Sequence, residues 1–160
     1  MNDKLNKDIF YNKRKFFDTG YTKSYGFRIT QLKRLKTAIE KYEKDILSAL
    51  YKDLHKSAFE SYTAEIGLVY EEINFAIKNL KKWMRPKRVE DIISTMPSRS
   101  YIYPEPLGVV LIIGPWNYPF QLILAPLVGA IAAGNCAVIK PSNQSVHTSA
   151  IIEKIIKETF

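Results

Sequence analysis

The sequence predicts an α/β protein in which helices precede a parallel strand, helix and strand unit. Apolar residues recur every three or four positions through the first half of the chain, which is the spacing of amphipathic helices. The second half holds two short β-branched runs separated by a longer apolar segment, a pattern typical of buried parallel strands joined by a crossover helix. With 160 residues, 46% of them hydrophobic, the chain has the size of one domain and can bury its own core.

Three helices are predicted in the first half of the chain. The first spans about 4–17, and a long amphipathic helix follows from Ile29 to Leu54. A third helix begins at Ser57, whose spacing from Glu60 is that of a capping box, and it ends before Pro86. The residues expected to line its buried face are Phe59, Tyr62, Ile66, Val69, Ile73, Ile77, Leu80 and Met84.

The segment 87–106 is predicted to form an edge strand or hairpin arm. Polar and apolar residues alternate from Arg99 to Tyr103, with a proline on either side of this stretch. Because proline cannot donate to a strand ladder, the flanking prolines favour an edge position over a central one.

The stretch "LGVVLIIG", residues 107–114, predicts a strand covered on both faces by other parts of the protein. Pro119 is placed to open the following helix, which is apolar all round and therefore buried. Gly134 should stop this helix, and Pro126 should kink it.

A second strand, "CAVIK", and a last amphipathic helix complete the unit. The strand covers 136–140, and the helix begins at Ser145 or Thr148. Short connections between these elements predict a βαβ unit with a parallel sheet.

Charge and composition exclude several classes of protein. The net charge is +8 and is concentrated before Val89, which indicates either a phosphate-binding patch or a solvated helix end; no base-reading motif accompanies it, so we expect no nucleic-acid partner. No charged residue occurs between Glu105 and Lys140, but glycines, prolines and amides interrupt this stretch, which argues against a transmembrane segment. A single cysteine and an N-terminus without an apolar signal core predict a cytoplasmic protein.

Polar residues follow both predicted strands. "GPWN" follows the first strand and "KPSN" the second, and ligands of open α/β sheets collect beyond the carboxyl ends of the strands. We therefore expect both loops to open onto one crevice. The glycine fingerprint of dinucleotide-binding folds is absent from the first loop. Gly129 and Gly134 have the separation of a phosphate-binding loop, but Asn135 and Cys136 replace its Lys and Ser.

Several of these residues have structural interpretations as well. Asn117 could cap the following helix, and Lys140 could be a surface lysine at a strand end. Cys136 lies among apolar neighbours that offer no base or cation, so we expect it to be structural. His55 and His147 are isolated, and we expect no metal site.

The stretch "EPLGVVLIIGPWNYPFQLILAPLVGAIAAGNCAVIKPSN" resembles the start of the cofactor-binding domain of the aldehyde dehydrogenase superfamily, and the upstream helices resemble its class 3, fatty-aldehyde-type branch. The resemblance implies the N-terminal part of the aldehyde dehydrogenase fold: N-terminal helices plus an incomplete Rossmann-like parallel sheet. It also implies a division into a helical segment (1–86), an oligomerisation-type arm (87–106) and the start of the NAD(P)-binding α/β domain (107–160).

The resemblance assigns roles to both loops. Asn117 matches the family's oxyanion asparagine, beside Gly114, Pro115 and Trp116 of the cofactor loop. In the second loop, Lys140 matches the lysine that binds the adenosine ribose, and it is followed by Pro141, Ser142 and Asn143. Asn143 stands where the family usually has glutamate; an amide does not repel a 2′-phosphate, so the departure favours NADP as well as NAD.

The nucleophilic cysteine and general-base glutamate of the family lie beyond the matched region. The resemblance therefore implies an N-terminal portion of an enzyme that oxidises aldehydes to carboxylic acids through a cysteine thiohemiacetal, with a homodimer as the expected assembly. The 160-residue chain alone is predicted to be inactive. Two other interpretations remain, a non-catalytic nucleotide-binding or interaction module and a basic nucleic-acid-binding protein.

Overall fold

The computed structural model describes residues 3–91, 93 and 97–160. Its first half is helical: α1 (Asp3–Asp18), a 3-10 turn (Tyr21–Lys23), α2 (Tyr25–Leu54), α3 (Ala58–Ser61), a π-helical turn (Tyr62–Ile66) and α4 (Gly67–Trp83). The second half contains the strands and their helices: β1 (Lys87–Arg88), β2 (Tyr101–Ile102), β3 (Val109–Ile113), α5 (Gln121–Ala133), β4 (Cys136–Lys140) and α6 (Val146–Thr159).

Helix α2 begins at Tyr25, earlier than the predicted Ile29. Ser24 adopts an extended backbone, and its side-chain oxygen accepts a hydrogen bond from the backbone N–H of Phe27 at 3.2 Å. A serine in this position satisfies one of the unpaired N–H groups of the first turn, which explains the earlier start.

The predicted cap of the third helix is confirmed, because the Ser57 side chain accepts from the backbone N–H of Glu60 at 3.1 Å. The predicted buried face is wrong at its beginning, where Phe59 and Tyr62 are exposed. The π turn is the physical reason: it closes i→i+5 hydrogen bonds, so residues before it lie on a different face from those after it. Ile66, Val69, Ile73 and Leu80 are buried as predicted.

The segment 87–106 contains a short pair of strands. β1 and β2 pair antiparallel, with Lys87 opposite Ile102 and Arg88 opposite Tyr101. The part of this segment at 92 and 94–96 lies outside the described residues.

The βαβ unit is also confirmed. β3 and β4 are parallel, with Val109 opposite Cys136 and Ile113 opposite Lys140. Helix α5 ends at Gly134, which adopts φ 87°, a left-handed conformation that suits glycine. The expectation that β3 is covered on both faces is wrong for this chain, because Leu111 and Ile113 are exposed. Alternate residues of a strand point to opposite faces, so α5 covers the face of Ile112 and leaves the other face largely open.

One hydrophobic core joins the two halves. Helix α2 packs against α6, and α4 packs against α5. The residues of this core that are wholly shielded from solvent include Leu32, Leu35, Ile39, Ile46, Ile73, Phe120, Ile123, Leu124 and Ile155. Among the described residues, no helix combines the length and the apolar character needed to cross a membrane.

Candidate functional site

The loops that follow β3 and β4 begin side by side. The backbone N–H of Gly114 donates to the backbone oxygen of Lys140 at 3.1 Å, which extends the parallel pairing by one residue. The first loop, residues 114–120, leads into α5, and the second loop, residues 140–145, leads into α6. Two predicted cofactor-binding residues, one from each loop, are thus in direct contact.

The first loop is buried at both ends and exposed in the middle. Gly114 is buried, and a Cβ atom added there would lie 2.4 Å from side-chain atoms of Ile123 in α5. The side chains that follow, Pro115, Trp116, Asn117 and Tyr118, are exposed, whereas Pro119 and Phe120 are buried. Glycine is therefore required by the close approach of strand and helix.

A carboxylate from a distant element caps helix α5. Glu65, in the π turn, accepts from the backbone N–H of Phe120 at 2.8 Å and of Gln121 at 3.2 Å. A negative charge at this position compensates the unpaired N–H groups and the positive end of the helix dipole. The interpretation of Asn117 as the cap is therefore wrong. Its side chain makes no hydrogen bond within the described part of the chain.

Lys56 holds the other side of the same loop. Its Nζ lies 2.6 Å from Glu65 Oε1, donates to the backbone oxygen of Asn117 at 2.9 Å, and lies 3.9 Å from the ring centroid of Tyr118. The Lys56 side chain is 9% exposed and that of Glu65 is fully buried. Since a buried charge is costly unless it is paired and hydrogen-bonded, each residue depends on the other.

A second carboxylate caps helix α6. Asp53, near the end of α2, accepts from the backbone N–H of His147 at 3.1 Å and from the N–H and hydroxyl of Thr148 at 2.7 Å each. The helix begins at Val146, directly after Ser145, which confirms the first of the two predicted starts, and the Ser145 side chain makes no capping hydrogen bond.

The second loop carries exposed donors and acceptors. Lys140 and Asn143 are exposed, and Pro141 and Ser142 are half-buried. The Ser142 hydroxyl accepts from the Gln144 backbone N–H at 3.2 Å, and its backbone oxygen accepts from the Ser149 hydroxyl at 2.9 Å. The loop is thus held largely by its own hydrogen bonds.

A cleft of about 830 Å³ borders the second loop only. Pro141, Ser142 and Asn143 line it, together with residues of α1 and α6. No first-loop residue lines it, and no hydrogen bond among the described residues joins Asn117 to Lys140, Ser142 or Asn143. The shared crevice expected from the sequence is therefore not seen as one cavity. A sheet of only two described strands gives the loops one common edge without enclosing walls.

Cys136 lies at the opposite end of the sheet from both loops. It opens β4, whereas Lys140 ends it, a separation of roughly 13 Å along an extended strand. Burial raises the pKa of the Cys136 thiol, partly offset by the charge of Lys13. The thiol therefore stays protonated, in agreement with the structural role predicted for it.

The two histidines lie at helix ends. His55 ends α2 with φ 54°, and the His147 N–H donates to Asp53. Within the described residues, no three His, Cys, Asp or Glu side chains come together as a metal site would require.

Three residues that organise the loops were not identified from the sequence: Asp53, Lys56 and Glu65. One signal was available, because Glu65 precedes Val69 by four positions and so lies on the apolar face of its helix. A carboxylate on a buried face requires partners. Its backbone partners, Phe120 and Gln121, are 55 and 56 residues away in the chain and could not be identified without the fold.

Comparison with known proteins gives consistent matches. Residues 14–159 match the aldehyde dehydrogenase family. The chain is 50% identical over 151 residues to a 4,4′-diaponeurosporen-aldehyde dehydrogenase of Staphylococcus aureus, covering 94% of this chain and 33% of that protein. It is 46% identical over 145 residues to aldehyde dehydrogenase family 3 member A2 of Macaca fascicularis, covering 91% of this chain and 30% of that protein.

A solved structure described as the substrate-bound state of Staphylococcus aureus AldH superimposes on the whole chain. The TM-score is 0.94 at 49% identity, and the match covers 34% of that structure. The chain thus spans about a third of the length of the relatives that it matches.

Proposed function

Because the chain belongs to the aldehyde dehydrogenase family, we propose that it supplies an oxyanion donor and part of the cofactor site for the NAD(P)-dependent oxidation of an aldehyde to a carboxylic acid. The matches also confirm the resemblance to the class 3 branch and the predicted fold class, the N-terminal part of the aldehyde dehydrogenase fold. The roles of individual residues are the proposed part.

The position of Asn117 carries the proposal. Its backbone is fixed by Lys56, and its side chain is exposed and makes no hydrogen bond within the described residues. A donor whose backbone is held while its amide N–H groups face solvent suits the stabilisation of a charge that develops elsewhere. An amide also remains neutral at every working pH, so its donor capacity does not titrate.

The proposed chemistry is the one that the family resemblance implies. A cysteine thiolate forms a bond to the aldehyde carbon, and the carbonyl π electrons move to oxygen, where Asn117 donates. A hydride would then pass from the thiohemiacetal carbon to the bound nicotinamide cofactor, and water would hydrolyse the resulting thioester to the carboxylic acid and release the thiolate. The thiolate and the base that activates water come from outside the matched third, since Cys136 is buried and protonated.

The second loop fits the sugar of a nicotinamide cofactor. When bound, the cofactor would supply the hydride acceptor. Lys140 offers three donors to ribose hydroxyls, and Ser142 and Asn143 of the same loop add hydroxyl and amide groups. No carboxylate occurs in residues 140–145, which favours tolerance of a 2′-phosphate. Gly114, Pro115, Trp116 and Pro141 shape the neighbouring surface.

We further propose that the whole protein acts as a homodimer, with 87–106 as the contacting arm, 1–86 as the helical segment and 107–160 as the start of the cofactor domain. Within the described residues, β1 and β2 pair only with each other, and a strand edge without a partner supports pairing with another strand.

A non-catalytic nucleotide-binding module is the alternative for the polypeptide made on its own. The buried position of its one cysteine, at the far end of the sheet, favours this alternative. The 160-residue chain should therefore show no aldehyde-dependent reduction of NAD+ or NADP+ above background. Measurable turnover by the purified chain would overturn that expectation.

A chimera tests the oxyanion role. The chain replaces the corresponding third of the Staphylococcus aureus relative that shares 50% identity. Asn117→Ala in the chimera should lower kcat by about 100- to 1,000-fold with little change in KM, because the donor acts only when charge develops. Oxidation of a medium-chain aldehyde, followed by NAD(P)H absorbance, is the assay.

The matched control is Asn79→Ala, which removes an amide from a half-buried position of α4. It should leave kcat unchanged. Equal kcat values for the Asn117→Ala and Asn79→Ala chimeras would rule out the oxyanion role.

Asn143→Glu should raise KM for NADP+ more than for NAD+. Equal shifts of the two KM values would contradict the proposed tolerance of the 2′-phosphate.

A further inference from the structure

We propose that Lys56 and Glu65 are positioning residues for Asn117, a role that rests on the oxyanion function proposed above. Neither residue belongs to the two loops, and neither is adjacent to them in sequence. The buried ion pair fixes the backbone on both sides of Tyr118 and Pro119 and so sets the direction of the Asn117 amide.

The pair holds the loop at two points. Lys56 donates to the backbone oxygen of Asn117 at 2.9 Å. Glu65 accepts from the N–H groups of Phe120 and Gln121 with its other oxygen, Oε2. Only Tyr118 and Pro119 separate the anchored residues, and the proline restricts its own φ. The short span leaves few conformations in which Asn117 can turn.

Burial makes the two anchors act as one unit. The Nζ of Lys56 and Oε1 of Glu65 are 2.6 Å apart, and the two side chains are 9% and 0% exposed. A movement of the loop would break charge-assisted hydrogen bonds and leave a charge unpaired inside the protein. The loop is therefore held by interactions that are costly to break and directional.

The π turn explains how an acid reaches this place. Glu65 and Ile66 are neighbours in sequence, and both are fully shielded from solvent. The wider turn at Tyr62–Ile66 turns Glu65 inward while Ile66 stays in the core that continues through α4.

A positioning role for the pair differs from simple stabilisation because it depends on hydrogen bonds of a defined direction. An apolar residue pair could fill the same volume, and such replacements of buried ion pairs are often neutral or stabilising. An apolar pair could not form hydrogen bonds with the Asn117 carbonyl on one side and with the α5 N–H groups on the other. The expected consequence is that loss of the pair changes the surroundings of the Asn117 side chain even where the chain stays folded.

The test uses the ¹⁵N-labelled 160-residue chain and the variants Lys56→Met, Lys56→Arg and Glu65→Gln. The observables are the side-chain NH₂ resonances of Asn117, assigned by their loss in Asn117→Asp, and hydrogen exchange at Phe120 and Gln121. Lys56→Met and Glu65→Gln should shift the Asn117 resonances and speed exchange at both amides by about tenfold or more. Lys56→Arg keeps the charge and the donors and should restore both observables.

Asp53→Asn is the matched control, because it weakens the cap of α6 in the same end of the molecule. It should speed exchange at His147 and Thr148 and leave the Asn117 resonances in place. Unchanged Asn117 resonances in folded Lys56→Met and Glu65→Gln would overturn the proposal. Unfolding of both variants would also overturn it, because the pair would then act only in stability. Failure of Lys56→Arg to restore the resonances would overturn it as well.

The outcome is independent of catalysis. If the resonances shift as expected but the Asn117→Ala chimera keeps its kcat, the positioning is real and the oxyanion role is wrong. In the chimera, Lys56→Met should lower kcat and leave KM for the cofactor unchanged. A change confined to KM would place the pair with substrate or cofactor binding and contradict the proposal.

Discussion

The two loops are anchored by the same kind of contact in different surroundings. A carboxylate caps the helix after each loop: Glu65 caps α5 and Asp53 caps α6. Glu65 is fully buried and paired with Lys56, whereas Asp53 is only half-buried. The first loop is thus fixed from within the core, and the second is held near the surface and by its own hydroxyl groups.

The difference matches the roles proposed for the loops. An oxyanion donor is effective when it is preorganised, because no energy is then spent on reorienting it during the reaction. A cofactor loop must admit and release its ligand, which a half-exposed anchor allows more readily. Four predictions, from a buried ion pair to an exposed one, test how far burial sets the strength of such contacts.

The largest effect is expected for Glu65→Ala. Removing one partner of a buried ion pair leaves Lys56 charged and unpaired, which costs about 3–5 kcal/mol of unfolding free energy. Urea unfolding measured by circular dichroism tests this value. Glu153→Ala, which breaks an exposed pair with Lys157, is the control; equal losses in the two variants would show that burial is not decisive.

Gly114→Ala should have the next largest effect. A Cβ atom at this position would lie 2.4 Å from Ile123, so strand and helix would have to separate, at about 1–3 kcal/mol. Gly26→Ala is the control, because a Cβ there meets nothing within 4 Å and alanine favours the helix. The double variant Gly114→Ala/Ile123→Ala should lose less than the sum of the single losses. Additive losses would exclude the overlap as the cause.

Asp53→Ala should cost about 1–2 kcal/mol, the range for loss of a helix cap. The loss should be smaller than that of Glu65→Ala because water can replace part of the hydrogen bonding at a half-exposed site. Differential scanning calorimetry of both variants makes the comparison. A loss for Asp53→Ala as large as that for Glu65→Ala would contradict the contrast between the buried carboxylate at the first loop and the half-buried one at the second.

The smallest effect is expected for Lys157→Met. The side chains of Lys157 and Glu153 are 74% and 63% exposed, so the unfolding midpoint should hardly change at pH 7. The hydrogen bond from Lys157 lowers the pKa of Glu153, so any stabilisation exists above the usual carboxylate pKa and disappears as the pH falls through the lowered value. If the stability difference between Lys157→Met and the parent chain grew as the pH fell, this prediction would be contradicted.

Local patterns predicted most of the fold. The apolar periodicity of α2 and α4, the serine cap at Ser57 and the glycine stop at Gly134 are all confirmed, because each depends on residues within a few positions. The predicted buried face of the third helix was wrong at Phe59 and Tyr62, because the π turn changes the helical period there. The assignment of roles to Asn117, Lys140 and Asn143 came from the family resemblance and stays a prediction.

By itself the sequence determined the order of helices and strands, the parallel βαβ unit and the family, because period, turn residues and the motifs around Asn117 and Lys140 are properties of neighbouring residues. Only the tertiary structure decided which groups hold the two loops. Hydrogen bonds from the Phe120 N–H to Glu65 and from the Thr148 N–H to Asp53 join residues 55 and 95 positions apart. No local pattern encodes such a pair, since the free energy of a buried charge depends on what the fold brings beside it.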